Sequence, residues 1–112
     1  MKIVTAVIQP YRLEQVKQAL ADTLHTGLTV TDVKGYGAQK GHTEIYRGME
    51  FEVDFRPKVR IDLIVTDEDA EGVIATIVRA ARTGSLGDGK IWTQDVSNVI
   101  RVRTGERGVE AV

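Results

Sequence analysis

The chain has no cysteine. That excludes disulfides, thiolate metal sites and a cysteine nucleophile, and it fits a reducing compartment. It has 2 prolines, and aromatic residues make up 5% of its 112 residues. With so few aromatics and no basic-aromatic strand pair, a single-stranded nucleic-acid platform is not expected. Neither sign of charge dominates: 15 Lys and Arg stand against 16 Asp and Glu, a net charge of -1. A protein that coats nucleic acid is usually strongly basic. No apolar run approaches the roughly 20 residues of a membrane span. Residues 1–10 form a strand-like run without the cleavage pattern of a signal peptide. The 2 histidines, His25 and His42, do not sit in a metal-ligand spacing.

What is present is enough for one ordinary domain over residues 1–112, with 42% hydrophobic residues. A chain of this size buries roughly two-thirds of its unfolded surface and needs no staple. Residues 2–8, KIVTAVI, read as a central strand with apolar residues on both faces. Leu13, Val16, Leu20 and Leu24 recur at three and four, one face of a helix, and Gly27 is placed to close the following turn. Residues 28–35 alternate as a half-buried strand. Periodicity then stops until about Lys58, where Val59, Ile61, Leu63 and Val65 alternate with Arg60, Asp62 and Ile64. Thr66 with Asp69 marks a capping box ahead of a helix carrying Ala70, Val73, Ile74, Ile77, Val78 and Ala81. Short strands follow at residues 90–92 and 99–103. The order is βαββαβ, an α+β ferredoxin-like pattern with a short C-terminal strand.

Three features carry chemistry. The first is the stretch at about 37–55, longer than the roughly 12–15 residues beyond which structureless loops become uncommon. It mixes charges with Ile45, Tyr46, Met49, Phe51 and Phe55. It is either a hairpin extension packed on itself or an arm that inserts into a partner, with flanking glycines as hinges. The second is TGSLGDGK at residues 83–90. Glycines let backbone amides approach an anion, and Lys90 adds charge, although a plain turn would use the same glycines. The third is Arg101-Val102-Arg103, whose strand period places both guanidinium groups on one face. They call for an anion or for acidic neighbours between them. The glycine loop and the paired arginines on neighbouring segments favour a polyphosphate.

Three runs together resemble the PII signal-transduction family: GYGAQKGHTEIYRG at residues 35–48, TGSLGDGKIW at residues 83–92 and RVRTGE at residues 101–106. They are similar, respectively, to that family's T-loop (about 37–55 here), its B-loop (about 82–90) and its C-terminal nucleotide segment. The resemblance runs the full length and implies a compact homotrimer that binds ATP or ADP between subunits. It implies nucleotide contacts from Gly27, Thr29, Gly35, Gly37, Gln39, Ile64, Gly87, Asp88, Gly89, Lys90, Arg101 and Arg103. It places 2-oxoglutarate against Gln39, Lys40, Gly41 and Lys58, with Gln39 also holding Mg²⁺. Tyr46, Arg47, Met49 and Phe51 would meet the partner, an ammonium transporter or another nitrogen-metabolism protein. The protein would then be a cytoplasmic, non-enzymatic sensor of nitrogen, carbon and energy status, reaching the membrane only through a transporter.

Some positions depart from the family pattern. Phe51 stands where the family has the tyrosine that receives a nucleotidyl group, so that modification has no hydroxyl to use. Ala38 replaces an arginine that helps bind phosphates, and Met49 and Arg56 alter the loop. A PII-like adenine-nucleotide sensor without a 2-oxoglutarate response is the alternative. A phosphoryl-transfer enzyme on the same fold would need a fixed histidine, and His42 within a long loop is poorly suited to that.

Overall fold

A computed structural model describes residues 1–25, 27–37, 43–46, 49–52 and 55–112, with no side-chain description between 38 and 54. The chain runs through β1 (Lys2–Ile8), α1 (Leu13–Asp22), β2 (Leu28–Gly35), β3 (Thr43–Tyr46), β4 (Met49–Glu52), β5 (Arg56–Val65), α2 (Asp67–Ala81) and β6 (Lys90–Asp95). Short 3-10 turns occupy Pro10–Arg12 and Gly108–Ala111. Four strands form one antiparallel sheet in the order β2-β5-β1-β6. Both helices cover one face, the ferredoxin-like arrangement expected from the sequence.

Strand alternation builds the core. Val4, Ala6 and Ile8 of β1 and Val59, Ile61, Leu63 and Val65 of β5 face the helices and are buried. Val16 and Leu20 of α1 and Ala70, Val73, Ile77 and Ala81 of α2 close over them. Thr66 caps α2, its side chain accepting from the Asp69 amide. Arg12 donates twice to the Ala80 carbonyl, at 2.9 and 2.6 Å, tying the start of α1 to the end of α2.

The opposite face of the sheet is not uniformly polar. Thr5, central on it, is fully buried and donates to Asp62 Oδ1 at 2.7 Å. Arg60 also donates to the Asp62 carboxylate, at 2.9 and 3.2 Å, and lies 5.9 Å from the Trp92 ring centre. The register sets Thr5 directly between Asp62 and Trp92.

Residues within the expected long loop form a two-stranded ribbon, β3 paired with β4, in line with the hairpin among the two readings open from sequence. Two details differ from the sequence expectation. The turn after α1 is closed by Leu24, not Gly27. Leu24 adopts φ 66 while its amide bonds Ala21 O and the His25 amide bonds Leu20 O, a helix stop normally built on glycine. The expected C-terminal strand at 99–103 is a single bridge, Ile100 to Arg107, around a tight turn.

Candidate functional site

The B-loop is folded by its own aspartate. The Asp88 carboxylate accepts from the amides of Thr83 and Gly84, both at 2.8 Å, and from the Thr83 hydroxyl. The Thr83 hydroxyl foremost, with the two amides and the Arg12 charge, holds the Asp88 carboxyl below the usual carboxylate range. Gly84, Gly87 and Gly89 all have positive φ. At Gly89 the need for glycine is absolute: a Cβ would lie 1.7 Å from the Val7 carbonyl oxygen of β1. Thus the loop is pinned to the sheet at Gly89 and drawn tight by Asp88.

Lys58 meets this loop from β5. It is 8% exposed, and its Nζ donates to the Gly87 carbonyl at 2.8 Å. Burial, and then the Arg56 charge, pull its pKa below the ordinary lysine value; Asp88 opposes them. Gly35 is close by, with Lys58 Cγ 3.2 Å from where its Cβ would stand. Asp88, Gly89 and Lys90 line a groove of about 390 Å³ with Ile74, Val78 and Arg82 of α2 and the loop that follows it.

A larger cleft of about 830 Å³ lies at the other end of the sheet. Gly27, Thr29 and Ile64 line it together, three of the residues that the resemblance assigns to the nucleotide, whereas Gly35 lies beside Lys58 instead. The cleft also takes in His25, Asp62, Thr66 and Asp69, which the sequence reading missed. The C-terminal segment contributes Val99 and Val109. Within one chain, then, the expected nucleotide residues divide between two clefts.

The paired arginines do not share a strand face. Arg101 and Arg103 flank the exposed Val102 in a turn closed by Gly105, whose amide bonds Arg101 O at 2.7 Å. Arg101 donates to Glu106 Oε1 at 2.9 Å and to Glu110 O at 3.1 Å. An acidic neighbour therefore balances this guanidinium, one of the two possibilities open from sequence. Ala38, Gln39, Lys40, Gly41, His42 and Arg47 lie outside the described residues, as do the side chains of Tyr46, Met49 and Phe51.

Comparison with known proteins decides the family. Residues 1–106 match the family model for nitrogen regulatory protein P-II. Over 112 residues, all of both chains, the sequence is 54% identical to the nitrogen regulatory protein P-II of Klebsiella oxytoca. It is 53% identical, again over the full length of both chains, to that of Rhizobium meliloti strain 1021 and to P-II 1 of Escherichia coli K12. The chain belongs to the P-II family. As a P-II protein it is a nitrogen-regulatory signal transducer and not an enzyme. The glycine loop, the arginine turn and residues 35–48 are thus parts of one P-II chain, in keeping with the resemblance read from sequence. Among the described residues, no helix of this P-II chain is long and apolar enough to cross a membrane.

Proposed function

We propose that three copies assemble so that the B-loop groove of one meets the cleft or arginine turn of the next, and that ATP or ADP binds where they meet. Gly87, Asp88, Gly89 and Lys90 would form the phosphate side. The amides of Thr83 and Gly84 are committed to Asp88, so an anion meets the later part of the loop and the Lys90 ammonium. Arg101 and Arg103 would arrive from the neighbouring subunit. Gly27, Thr29 and Ile64 line a cleft apolar enough for a base, and Gly35 and Gly37 would meet the nucleotide from the Lys58 side. Gln39 would hold Mg²⁺ with the nucleotide, and 2-oxoglutarate would bind against Gln39, Lys40, Gly41 and Lys58.

Ligand state is then passed to a partner through Tyr46, Arg47, Met49 and Phe51. The partner is an ammonium transporter or another nitrogen-metabolism protein, so the chain works in the cytoplasm and meets the membrane through a transporter. The observation that carries this reading is the B-loop itself: three glycines at positive φ, pinned at Gly89 and joined to β5 by Lys58.

The Lys58–Gly87 bond also favours a second reading. Because the Lys58 ammonium already has a carbonyl partner, a dicarboxylate must share or displace that bond. An adenine-nucleotide sensor without a 2-oxoglutarate response would leave it intact. Calorimetry separates the two: ATP and ADP are titrated with Mg²⁺, and 2-oxoglutarate is then titrated into the ATP-saturated protein. Binding of 2-oxoglutarate only with Mg-ATP supports the first reading. Nucleotide binding without it supports the second, and no nucleotide binding overturns both.

A further inference from the structure

His25 sits where the end of α1, the start of α2 and the larger cleft converge. Its side chain is 25% exposed and bridges two oxygen atoms. Nδ1 lies 3.1 Å from Thr23 Oγ1, and Nε2 lies 3.4 Å from Asp69 Oδ2. The donor count sets which bonds each state of the ring can make. The Thr23 hydroxyl donates its hydrogen to the Leu20 carbonyl at 2.9 Å, so toward His25 it offers only lone pairs. The Asp69 carboxylate is likewise an acceptor. Both ring nitrogens therefore face acceptors, and both bonds exist together only when both nitrogens carry hydrogen. A neutral ring keeps one bond and loses the other, unless the Thr23 hydroxyl turns away from Leu20.

We propose that His25 is a proton-dependent positioning residue of the cleft. As an imidazolium it latches the end of α1 to the first turn of α2; as a neutral ring it releases one side. The latch lies two residues before Gly27, and both it and Asp69 line the cleft with Thr29 and Ile64. Asp69 carries the opposite charge, and the last carbonyls of α1 carry the negative end of the helix dipole. Among the other charged groups on the surrounding elements, Asp22 accepts from Gln18, Asp67 pairs with the Met1 ammonium, Asp62 pairs with Arg60, and the terminal residue Val112 brings its carboxylate to the cleft lining. Glu68 adds a further negative charge to the first turn of α2. Histidine is the side chain whose charge changes within the physiological range, so the latch makes the cleft responsive to cellular pH. The sign is fixed. Protonation closes the latch and adds positive charge beside a site for an anionic nucleotide, so affinity falls as pH rises.

This role rests on the nucleotide reading above, and the test separates the two. First, ¹⁵N spectra of the ligand-free protein are recorded at about pH 6 and about pH 8. At the lower pH both His25 nitrogens should carry protons in the wild type, and Asp69→Asn or Thr23→Val should shift the ring toward the neutral form. A bare nitrogen at the lower pH overturns the latch. Second, Mg-ATP affinity is measured at both pH values for the wild type and His25→Gln. The wild type should bind about threefold more tightly at the lower pH, as one nearby charge supplies, and His25→Gln should lose that ratio. An equal ratio in the two proteins overturns the role in the cleft even if the latch exists. Absence of nucleotide binding in both overturns the nucleotide reading, and with it this role, while the spectra still decide the latch.

Discussion

Lys58 on β5 donates to the backbone carbonyl of Gly87, so the strand that follows the T-loop is bonded directly to the B-loop. A ligand that recruits the Lys58 ammonium must loosen the B-loop, and a nucleotide that tightens the B-loop must fix Lys58. The two ligand sites of the proposed function share this one bond.

Lys58→Met tests the bond. Methionine fills similar space without the donor, so Mg-ATP affinity should fall about tenfold or more, in line with losing a hydrogen bond to a charged group. The pH dependence has a defined sign. Lys58 binds its proton less tightly folded than unfolded, below the ordinary value of 10.5. The cost of burying its charge is present at neutral pH and fades as pH rises from the folded-state pKa toward 10.5. Over that alkaline window wild type should gain stability relative to Lys58→Met in chemical denaturation. An unchanged difference would remove burial as the cause.

Gly89→Ala should cost at least about 2 kcal/mol, because the methyl group collides with the Val7 carbonyl and the backbone has φ +104. Gly27→Ala is the contrast: among the described residues beyond its chain neighbours no atom lies within 4 Å of the new methyl, so stability should change by less than about 0.5 kcal/mol. Urea midpoints of the two variants provide the comparison. If they agree, the Gly89 contact with β1 is wrong.

Asp62 sets an acid limit on the fold. The Arg60 guanidinium foremost, assisted by Thr5, holds its carboxyl below the ordinary value of 3.8. A depressed carboxylate contributes stability that is present above 3.8 and lost as pH falls through the folded-state value. Asp62→Asn should therefore lose stability at neutral pH and show a flatter decline below about pH 4 in thermal unfolding. A parallel decline in both proteins would mean that Asp62 does not govern it.

Lys90→Ala should weaken ATP binding by roughly 1.5–3 kcal/mol, the range for a hydrogen bond to a charged group. Arg47→Ala should relieve inhibition of an ammonium transporter while leaving ATP binding unchanged. Calorimetry of both variants, with transport assays for the second, separates ligand binding from output. If Arg47→Ala also loses ATP, the division between the two functions fails.

Periodicity made most of this fold legible. β5 and α2 each bury a periodic stripe and β1 is a continuous apolar run buried at its centre on both faces, and hydrophobic spacing reports such patterns directly. The Thr66 cap was legible for the same reason: its hydroxyl and the Asp69 amide are three residues apart. The C-terminal segment was not, because a three-residue alternation such as Arg101-Val102-Arg103 looks the same in a strand and in a turn. Val102 is 99% exposed, which no half-buried strand allows. β3 and β4 are four residues each, too short to establish a period. Asp88 also folds the B-loop, by accepting from the Thr83 and Gly84 amides, and Lys58 bonds it at the Gly87 carbonyl. Both contacts depend on backbone atoms, to which side-chain patterns are silent. His25 was missed because its partners, Thr23 and Asp69, meet only after two helices have packed.

Leu24 is 89% exposed and stands in a left-handed conformation that a branched side chain adopts only at a cost of about 1 kcal/mol. Leu24→Gly should therefore raise thermal stability, at a position where burial offers no compensation for the strain. Because this turn leads into the cleft wall, it is a pre-stressed seam. Local opening should begin there, and the amides of Leu24 and His25 should exchange with solvent before those of the neighbouring helix.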